Sequence, residues 1–193
     1  MIQHQFKTKC HDLEGLFKGV NKMSSFMKNL EKQSLIDPLK YTPTKYCGDG
    51  FELFVEVFLK LHSSDNRVGV YNYIPVKSHE DTGVDGVGVN IKNETSVAQC
   101  KYRSNTDSLL TTNEDHLSNM ITAGMIKHGV VVDTNNKKNY RHFVFTTAKS
   151  LHFFTDEQMF EGTVRCFGIK DFKSMVDNNL IFWNNLRELI KVK

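Results

Sequence analysis

An acid, an amide and an amine lie on two short strand-like runs in the middle of the chain. The first run, VDGVGV, contains Asp85, and the second, VAQCKYR, contains Gln99 and Lys101. Because side chains alternate between the two faces of a strand, Gln99 and Lys101 share one face, and a hairpin can bring Asp85 opposite them. An isolated buried charge is costly, so we interpret this trio as a site for a metal ion and an anion.

The types of ligand in this group favour magnesium. Mg²⁺ prefers oxygen ligands, uses one or two carboxylates and takes further oxygens from water and from substrate phosphate. The Asp85 carboxylate, the Gln99 side-chain oxygen and the backbone carbonyl of Cys100 match that preference. Lys101 would orient or polarise an attacking water, or offset the charge that builds up on the phosphate. The expected cofactor is therefore Mg²⁺, for which Mn²⁺ can substitute.

The same residues also have purely structural interpretations. Asp85 can be a turn acid whose oxygens accept backbone N–H groups, and Lys101 can extend to solvent from an edge strand. Three glycines, Gly83, Gly86 and Gly88, weaken the first strand. Glycine inside a strand indicates the close approach of a ligand or of another backbone, so these positions leave both alternatives open.

The elements that must position the trio begin with helices. Apolar residues at three- and four-residue spacing predict one or two amphipathic helices over residues 11–35. The segment DPLKYTPTKYCGDG that follows contains prolines and paired glycines, and it is typical of a linker or loop. A further helix is predicted from near Gly50 to about His62, with its phenylalanines on one face.

Strands and helices then mix along the rest of the chain. The segment RVGVYNYIPV predicts a strand, residues 84–91 and 96–102 predict a hairpin with its turn near KNET, and NEDHLSNMITAGMIKHG predicts a helix that ends at Gly129. Two more strands are expected in YRHFVFTTA and TVRCFGI, and two terminal helices in DFKSMVDNN and LIFWNNLRELIKV, where Phe182 and Trp183 should anchor the helix to the core. This order predicts a mixed α/β or α+β fold on one central sheet flanked by helices.

Composition narrows the class of protein without assigning a function. The 193 residues are 39% hydrophobic and 24% charged, as in globular proteins, and the net charge of +3 permits nucleic-acid binding without arguing for it. The four cysteines form no C-x-x-C pair, and the histidines lack metal-ligand spacing. With neither a signal-like segment nor a membrane-length apolar run, the expectation is a cytoplasmic protein without a membrane partner. Frequent lysine and asparagine suggest an AT-rich genome such as that of a phage.

The two runs resemble a known family. GVDGVGV followed by VAQCKYR resembles the core of the PD-(D/E)XK nuclease superfamily, nearest to the Mrr-like branch in which glutamine replaces the second acid. The resemblance covers about residues 46–150 and implies a restriction-endonuclease-like core. It gives Asp85 and Gln99 the metal-binding positions and Lys101 the catalytic one. It departs from the family pattern at Val84, which stands where the superfamily's name has proline.

The resemblance also involves an acid on the preceding helix. GDGFELFVEVFLKLH resembles the first core helix of the family, whose glutamate would be Glu52. Because Gln99 is neutral, Glu52 or Glu56 would be needed to help hold the metal. Asp49 and Glu52 also fit a capping box, with Asp49 as N-cap. Glu56 fits a solvated helix face on which it pairs with Lys60. The implied domains are a helical extension over residues 1–40 and a nuclease-like domain over residues 46–193.

The expected function is that of a Mg²⁺-dependent DNA endonuclease of restriction or homing type that hydrolyses phosphodiester bonds. Its expected location is the cytoplasm, which is that of the host cell if a phage or other mobile element encodes it. Arg103, and more weakly Lys137 and Lys138 in a basic loop, are expected to contact phosphate. Because one site cuts one strand, double-strand cleavage would require a homodimer or two successive nicks. The alternatives are a nucleic-acid-binding module of the same fold that does not cleave, and a junction resolvase.

Overall fold

The structure is a computed structural model that describes residues 2–76, 83–113, 115–131, 139–153 and 164–191. Its strands are β1 Tyr71–Pro75, β2 Gly86–Val89, β3 Thr95–Lys101, β4 Leu109–Leu110, β5 His142–Thr146, β6 Ser150–Leu151 and β7 Val164–Phe167. Its helices are α1 Phe6–Lys9, α2 Leu13–Phe17, α3 Met23–Ser34, α4 Pro43–Leu61, α5 Leu117–His128, α6 Ile169–Val176 and α7 Leu180–Ile190. Lys137 and Lys138 lie outside the described residues.

A central mixed sheet organises the molecule. Its described strands run in the order β1-β2-β3-β5-β7, while β4 and β6 form a separate short pair. β1, β2 and β3 are antiparallel neighbours, and β3, β5 and β7 are parallel. Helices flank this sheet, so the mixed α/β class predicted from the element order is confirmed. The strand that carries Gln99 and Lys101 lies in the middle of the sheet.

The predicted hairpin is confirmed in position, and the structure supplies its register. β2 and β3 pair antiparallel, with Val89 opposite Thr95 and Gly86 opposite Ala98. The turn closes where the KNET segment predicts it, because the Asn90 N–H donates to the Glu94 carbonyl at 2.9 Å. The two strand-like runs and the KNET segment between them therefore located both strands and the turn.

Helix α4 begins earlier than the sequence predicts. It starts at Pro43, with Thr42 before it, so the second half of the predicted loop is helical. Proline suits the first turn of a helix because its missing N–H would have no partner there. Gly50 lies inside the helix, where an added Cβ would come within 2.4 Å of the Leu30 side chain. This glycine serves close packing between helices rather than a break in the chain.

Both faces of the sheet are covered by apolar clusters. On one face, Ala98 and Cys100 pack with α4, with the N-terminal helices α1, α2 and α3, and with α6 and α7. On the other face, Val97 and Val144 pack with residues of α5. Residues of the predicted N-terminal extension thus share a core with the sheet, and the division into two domains stays a prediction.

The terminal helix is anchored as expected. Phe182 and Trp183 are buried, and the Trp183 indole N–H donates to the Val176 carbonyl at 2.7 Å. Arg187 on the same helix donates to the carbonyls of Phe17 and Val20 at 3.1 and 3.0 Å. Helix α7 is therefore held against the end of α2 and the segment that follows it.

None of the helices in the described ranges is both long enough and apolar enough to span a membrane.

Candidate active site

The structure brings Asp85 and Gln99 into direct contact. Asp85 lies immediately before β2, and its backbone N–H donates to the Ala98 carbonyl at 2.9 Å. Its carboxylate oxygen Oδ2 accepts from the Gln99 amide Nε2 at 2.8 Å and from the Cys100 backbone N–H at 2.6 Å. The proximity predicted from the hairpin is therefore confirmed, and the contacts that β3 supplies to Asp85 come from neutral donors.

The other end of the Gln99 amide is an unsatisfied acceptor. Gln99 is only 5% exposed, and its side-chain oxygen Oε1 has no hydrogen-bond partner in the described part of the chain. Leaving a buried polar atom without a partner costs about 1–3 kcal/mol, so such an atom calls for an explanation. A cation that takes oxygen ligands is one such explanation.

Lys101 ends β3 two residues after Gln99 and is half-buried. Its backbone carbonyl accepts from the Thr146 hydroxyl at 2.7 Å and from the Thr147 N–H at 3.2 Å, which ties the end of β3 to β5. Its ammonium forms no ion pair with a carboxylate among the described residues. The backbone of Lys101 is thus fixed, while its ammonium is not held in an ion pair by the described residues.

A small cavity joins helix α4 to Asp85. Its volume is about 70 Å³, and its walls bring together side chains from the N-terminal segment, α4 and the residues around β2: His4, Gln5, Lys45, Asp49, Glu52, Val76, Val84 and Asp85. Glu52 therefore lines the same cavity as Asp85. A second cavity of about 750 Å³ lies elsewhere, between α2 and α7.

Glu52 is held by a residue that the sequence does not single out. Its carboxylate oxygen Oε2 lies 2.9 Å from the His4 ring nitrogen Nε2. His4 is 7% exposed, and its other ring nitrogen, Nδ1, accepts from the Phe6 backbone N–H at 3.2 Å. His4 comes from a polar N-terminal stretch whose lack of periodicity gives no signal of burial.

The solvated-face interpretation of Glu56 is wrong. Glu56 is 4% exposed, and its two oxygens accept from the Gln3 and His4 backbone N–H groups at 2.7 and 2.9 Å. A buried carboxylate needs such donors, since its charge is otherwise unsolvated. The donors come from residues more than 50 positions away in the chain, so no pattern local to α4 can predict them.

The capping-box interpretation of Asp49 and Glu52 is also wrong. Asp49 lies in the second turn of α4, not at its N-cap, and is 6% exposed. Its carboxylate accepts from the Tyr41 hydroxyl and from the Lys45 ammonium, the latter at 3.2 Å. Asp49 is thus a third carboxylate on the cavity wall, with its own local donors.

The electrostatic field around the cavity is negative. Burial raises the pKa of the Cys100 thiol well above its usual value, and the charges of Asp85 and Glu52 raise it further. Burial likewise raises the pKa of the Tyr73 phenol, with the same two carboxylates contributing. Burial lowers the pKa of His4, although nearby carboxylates oppose that shift. Such a field favours a cation over an anion at this position.

The space beside the glycines of β2 is filled by other protein groups and is not open to a ligand. A Cβ on Gly86 would come within 2.1–2.3 Å of the Tyr73 ring, and one on Gly88 would lie 2.7 Å from the Tyr71 carbonyl oxygen. Tyr73 and Tyr71 belong to β1, the neighbouring strand. Of the two explanations left open by the sequence, the close approach of other protein groups accounts for both positions.

Arg103 is tied into the structure next to the proposed site. Its guanidinium pairs with Asp115, which is 4% exposed, and also donates to the Tyr102 carbonyl at 2.8 Å. Its backbone N–H donates to the Thr147 hydroxyl at 2.6 Å. The side chain is still 38% exposed, and a phosphate contact by Arg103 stays a prediction.

The donor set fits Mg²⁺ only if an amide oxygen takes part. No group of three His, Cys, Asp or Glu side chains within the described ranges is arranged to hold a metal ion. The expected ligands are instead Asp85, Glu52, the Gln99 amide and the Cys100 carbonyl, which are all oxygen donors. The unpartnered Gln99 Oε1 fits this set. In the present arrangement Gln99 offers Asp85 its N–H₂ end, whereas metal ligation needs its oxygen.

Comparisons with known proteins leave the geometry to stand alone. No family model and no curated protein matches the chain. A function is therefore inferred from the residues around Asp85 and from the elements that position them.

Proposed function

We propose that the chain is a Mg²⁺-dependent DNA endonuclease with a restriction-endonuclease-like core. The observation that carries the proposal is the contact of Asp85 with Gln99 and Cys100, next to a buried amide oxygen without a partner. The order α4, three antiparallel strands, α5 and a parallel strand supports it, because these elements surround the predicted residues.

Asp85, Glu52, the Gln99 amide oxygen and the Cys100 carbonyl would hold the cation. Two carboxylates and two neutral oxygens leave room for water and for substrate phosphate in an octahedral shell. When bound, Mg²⁺ would act as a Lewis acid that makes water a better nucleophile at neutral pH and offsets phosphate charge. Burial is the main cause of the raised pKa of Cys100 and Tyr73, and the charges of Asp85 and Glu52 add to it; the negative field of these two carboxylates favours binding of this ion.

Lys101 would act on the water and the phosphate. Its ammonium orients the attacking water and stabilises the negative charge that grows on the phosphate oxygens in the transition state. The water oxygen forms a bond to phosphorus and gives up a proton to the surrounding solvent. The bond from phosphorus to the leaving sugar oxygen breaks, and that oxygen takes up a proton from a solvent water. The end of β3 is held by Thr146 and Thr147, so the lysine is presented from a rigid backbone.

A second candidate is a nucleic-acid-binding module that does not cleave. It is favoured by the orientation of Gln99, whose N–H₂ group satisfies Asp85 without an ion. This candidate keeps the fold and assigns the Asp85 contact to stability alone. Metal-dependent cleavage separates it from the endonuclease.

The experiment is a plasmid-nicking assay with Mg²⁺ or Mn²⁺ that compares wild type with Asp85→Ala and Lys101→Ala. Asp107→Ala and Lys149→Ala serve as matched controls, because both residues are exposed and lie outside the cavity. The endonuclease predicts nicking by wild type and by the controls, and its loss in both site variants. Equal cleavage by all five proteins contradicts the assignment, and DNA binding without cleavage supports the second candidate.

Substrate shape is tested in the same assay. Linear DNA, circular DNA and a four-way junction are offered at equal concentration. Preference for the junction indicates a resolvase that uses the same residues, and cleavage of circular DNA indicates an endonuclease of restriction or homing type. Accumulation of nicked circles before linear product indicates that the strands are cut one at a time.

A further inference from the structure

Residues 2–6, here called the N-terminal strap, lie across α4 beside the cavity. The strap is fixed at both ends by apolar side chains, since Ile2 is 5% exposed and Phe6 is fully buried. Between them, the Gln3 and His4 backbone N–H groups donate to the buried Glu56 carboxylate. The strap is therefore a fixed part of the cavity wall, and its central side chain is His4.

The contacts of His4 determine which ring nitrogen carries the proton. Nδ1 accepts from the Phe6 backbone N–H, so it has no proton of its own. The neutral ring must then carry its proton on Nε2, which lies 2.9 Å from Glu52 Oε2. His4 is thus a donor to Glu52, and Phe6 fixes the orientation of the ring.

We propose that His4 is a positioning residue, which holds the Glu52 carboxylate towards Asp85 so that the two acids bind one divalent cation. The inference rests on the proposed function. Groups that hydrogen-bond a ligating carboxylate orient it, and losing such a partner typically costs about 10–100-fold in metal affinity or activity. Glu52 needs this support because its side chain is 24% exposed and loses rotamer entropy when it is fixed.

The role of His4 depends on the strap, which is distant in sequence from α4 but lies across it. Asp49, one turn earlier on α4, has its donors on or just before the same helix, in Tyr41 and Lys45. Glu52 receives a donor from His4, a residue 48 positions away in the chain. Glu56, one turn later, anchors the backbone that carries this donor. Successive acids of one helix thus bind the strap and are oriented by it.

The test measures Mn²⁺ binding by isothermal titration calorimetry for wild type, His4→Asn and His4→Gln. An asparagine amide oxygen can replace Nδ1 as the acceptor for Phe6, but its side chain is too short to reach Glu52. A glutamine amide N–H can replace the Nε2 donor. His11→Ala is the control, because His11 is exposed and its ring stacks on Tyr46 outside the cavity.

The positioning role predicts Mn²⁺ affinity at least about 10-fold weaker in His4→Asn, substantial recovery in His4→Gln, and wild-type affinity in His11→Ala. In nicking assays, the His4→Asn defect should appear as a higher metal requirement and should be recovered at saturating Mn²⁺. Equal Mn²⁺ affinity in wild type and His4→Asn overturns the role of His4 while leaving the proposed function intact. Absence of Mn²⁺ binding by wild type overturns both.

Discussion

Two aspartates, the buried Asp115 and the half-buried Asp85, lie close to the end of β3 and are satisfied in different ways. Asp115 is 4% exposed, pairs with the Arg103 guanidinium, and accepts from the Thr111 N–H at 2.6 Å. Asp85 accepts from an amide and a backbone N–H on β3, and it shares a cavity wall with Glu52. Asp115 is thus paired with an arginine, and Asp85 shares its cavity wall with a second acid.

The difference separates a structural acid from a candidate catalytic one. A buried ion pair satisfies both charges, and breaking it by removing one partner is strongly destabilising. Carboxylates that face a common cavity repel each other, and a cation between them relieves that repulsion. Substitutions at Asp115 should therefore change stability, and substitutions at Asp85 should change activity.

The largest expected effect is the loss of activity in Asp85→Asn. Nicking with Mn²⁺ should fall by at least about 100-fold, because the amide removes the charge that holds the metal. Its free energy of unfolding, measured in urea, should stay close to that of wild type. In Asp115→Asn the pattern should be reversed, with nicking retained and stability lowered. A large stability loss with little activity loss in Asp85→Asn would remove the distinction between the two acids.

The next effect is the loss of stability in Arg103→Ala. Removing the guanidinium leaves a buried carboxylate at Asp115 without its cation, which should cost about 3 kcal/mol of unfolding free energy. Urea denaturation of the variant and of Arg165→Ala, an arginine on the outer strand β7, measures the difference. If Arg103→Ala is as stable as wild type and instead loses DNA affinity, the arginine is a phosphate contact, as the sequence predicts, rather than a structural cation.

His142 is a third case, a buried side chain whose ring nitrogens have no hydrogen-bond partner among the described residues. It is fully buried on β5, and burial lowers its pKa to about 4. Because the unfolded chain binds a proton near pH 6.5 and the folded chain does not, stability is present above that pH and is lost as pH falls. From pH 6.5 to 5 the loss should be about 1.5 kcal/mol.

His142→Leu should flatten this part of the pH dependence. Urea denaturation of wild type and variant at several pH values between 5 and 7 gives the two slopes. Burial also lowers the pKa of His4 and His62, so part of the wild-type slope should persist in the variant. Identical slopes in the two proteins contradict the assignment of a buried neutral ring to His142.

The smallest expected effect is the loosening of the N-terminal strap in Glu56→Gln. The amide keeps one acceptor oxygen for the Gln3 and His4 N–H groups but loses the charge, which should cost about 1 kcal/mol. Hydrogen exchange at these two amides should accelerate, while exchange in the sheet stays unchanged. Unchanged exchange at both amides would show that the strap does not depend on Glu56.

The hairpin and its acid were predictable because their signals are local. Two strand-like runs located β2 and β3, and the turn residues located the KNET loop. The antiparallel pairing of the two strands then brings Asp85 next to Gln99. Apolar residues at helical spacing likewise predicted α3 and the terminal helices. In these segments, local propensity and tertiary packing favour the same structure.

The remaining site residues depend on contacts that are distant in sequence. The burial of Glu56 depends on backbone groups more than 50 residues away, and Arg103 is neutralised from the loop before α5. Gly50 is typical of a loop but lies inside a helix because Leu30 packs against it. His4 gives no sequence signal at all, since its role depends on where the strap crosses α4.

The most direct test of the account is a crystal soaked in Mn²⁺ and measured at a wavelength where manganese scatters anomalously. We expect an anomalous peak for a manganese ion that is bound by Asp85 and by the Gln99 side-chain oxygen. Glu52 should lie beside the ion, and the Gln99 amide should be turned to present Oε1 to it. An anomalous map without a peak at Asp85, with Gln99 still donating its N–H₂ to that carboxylate, would contradict the account.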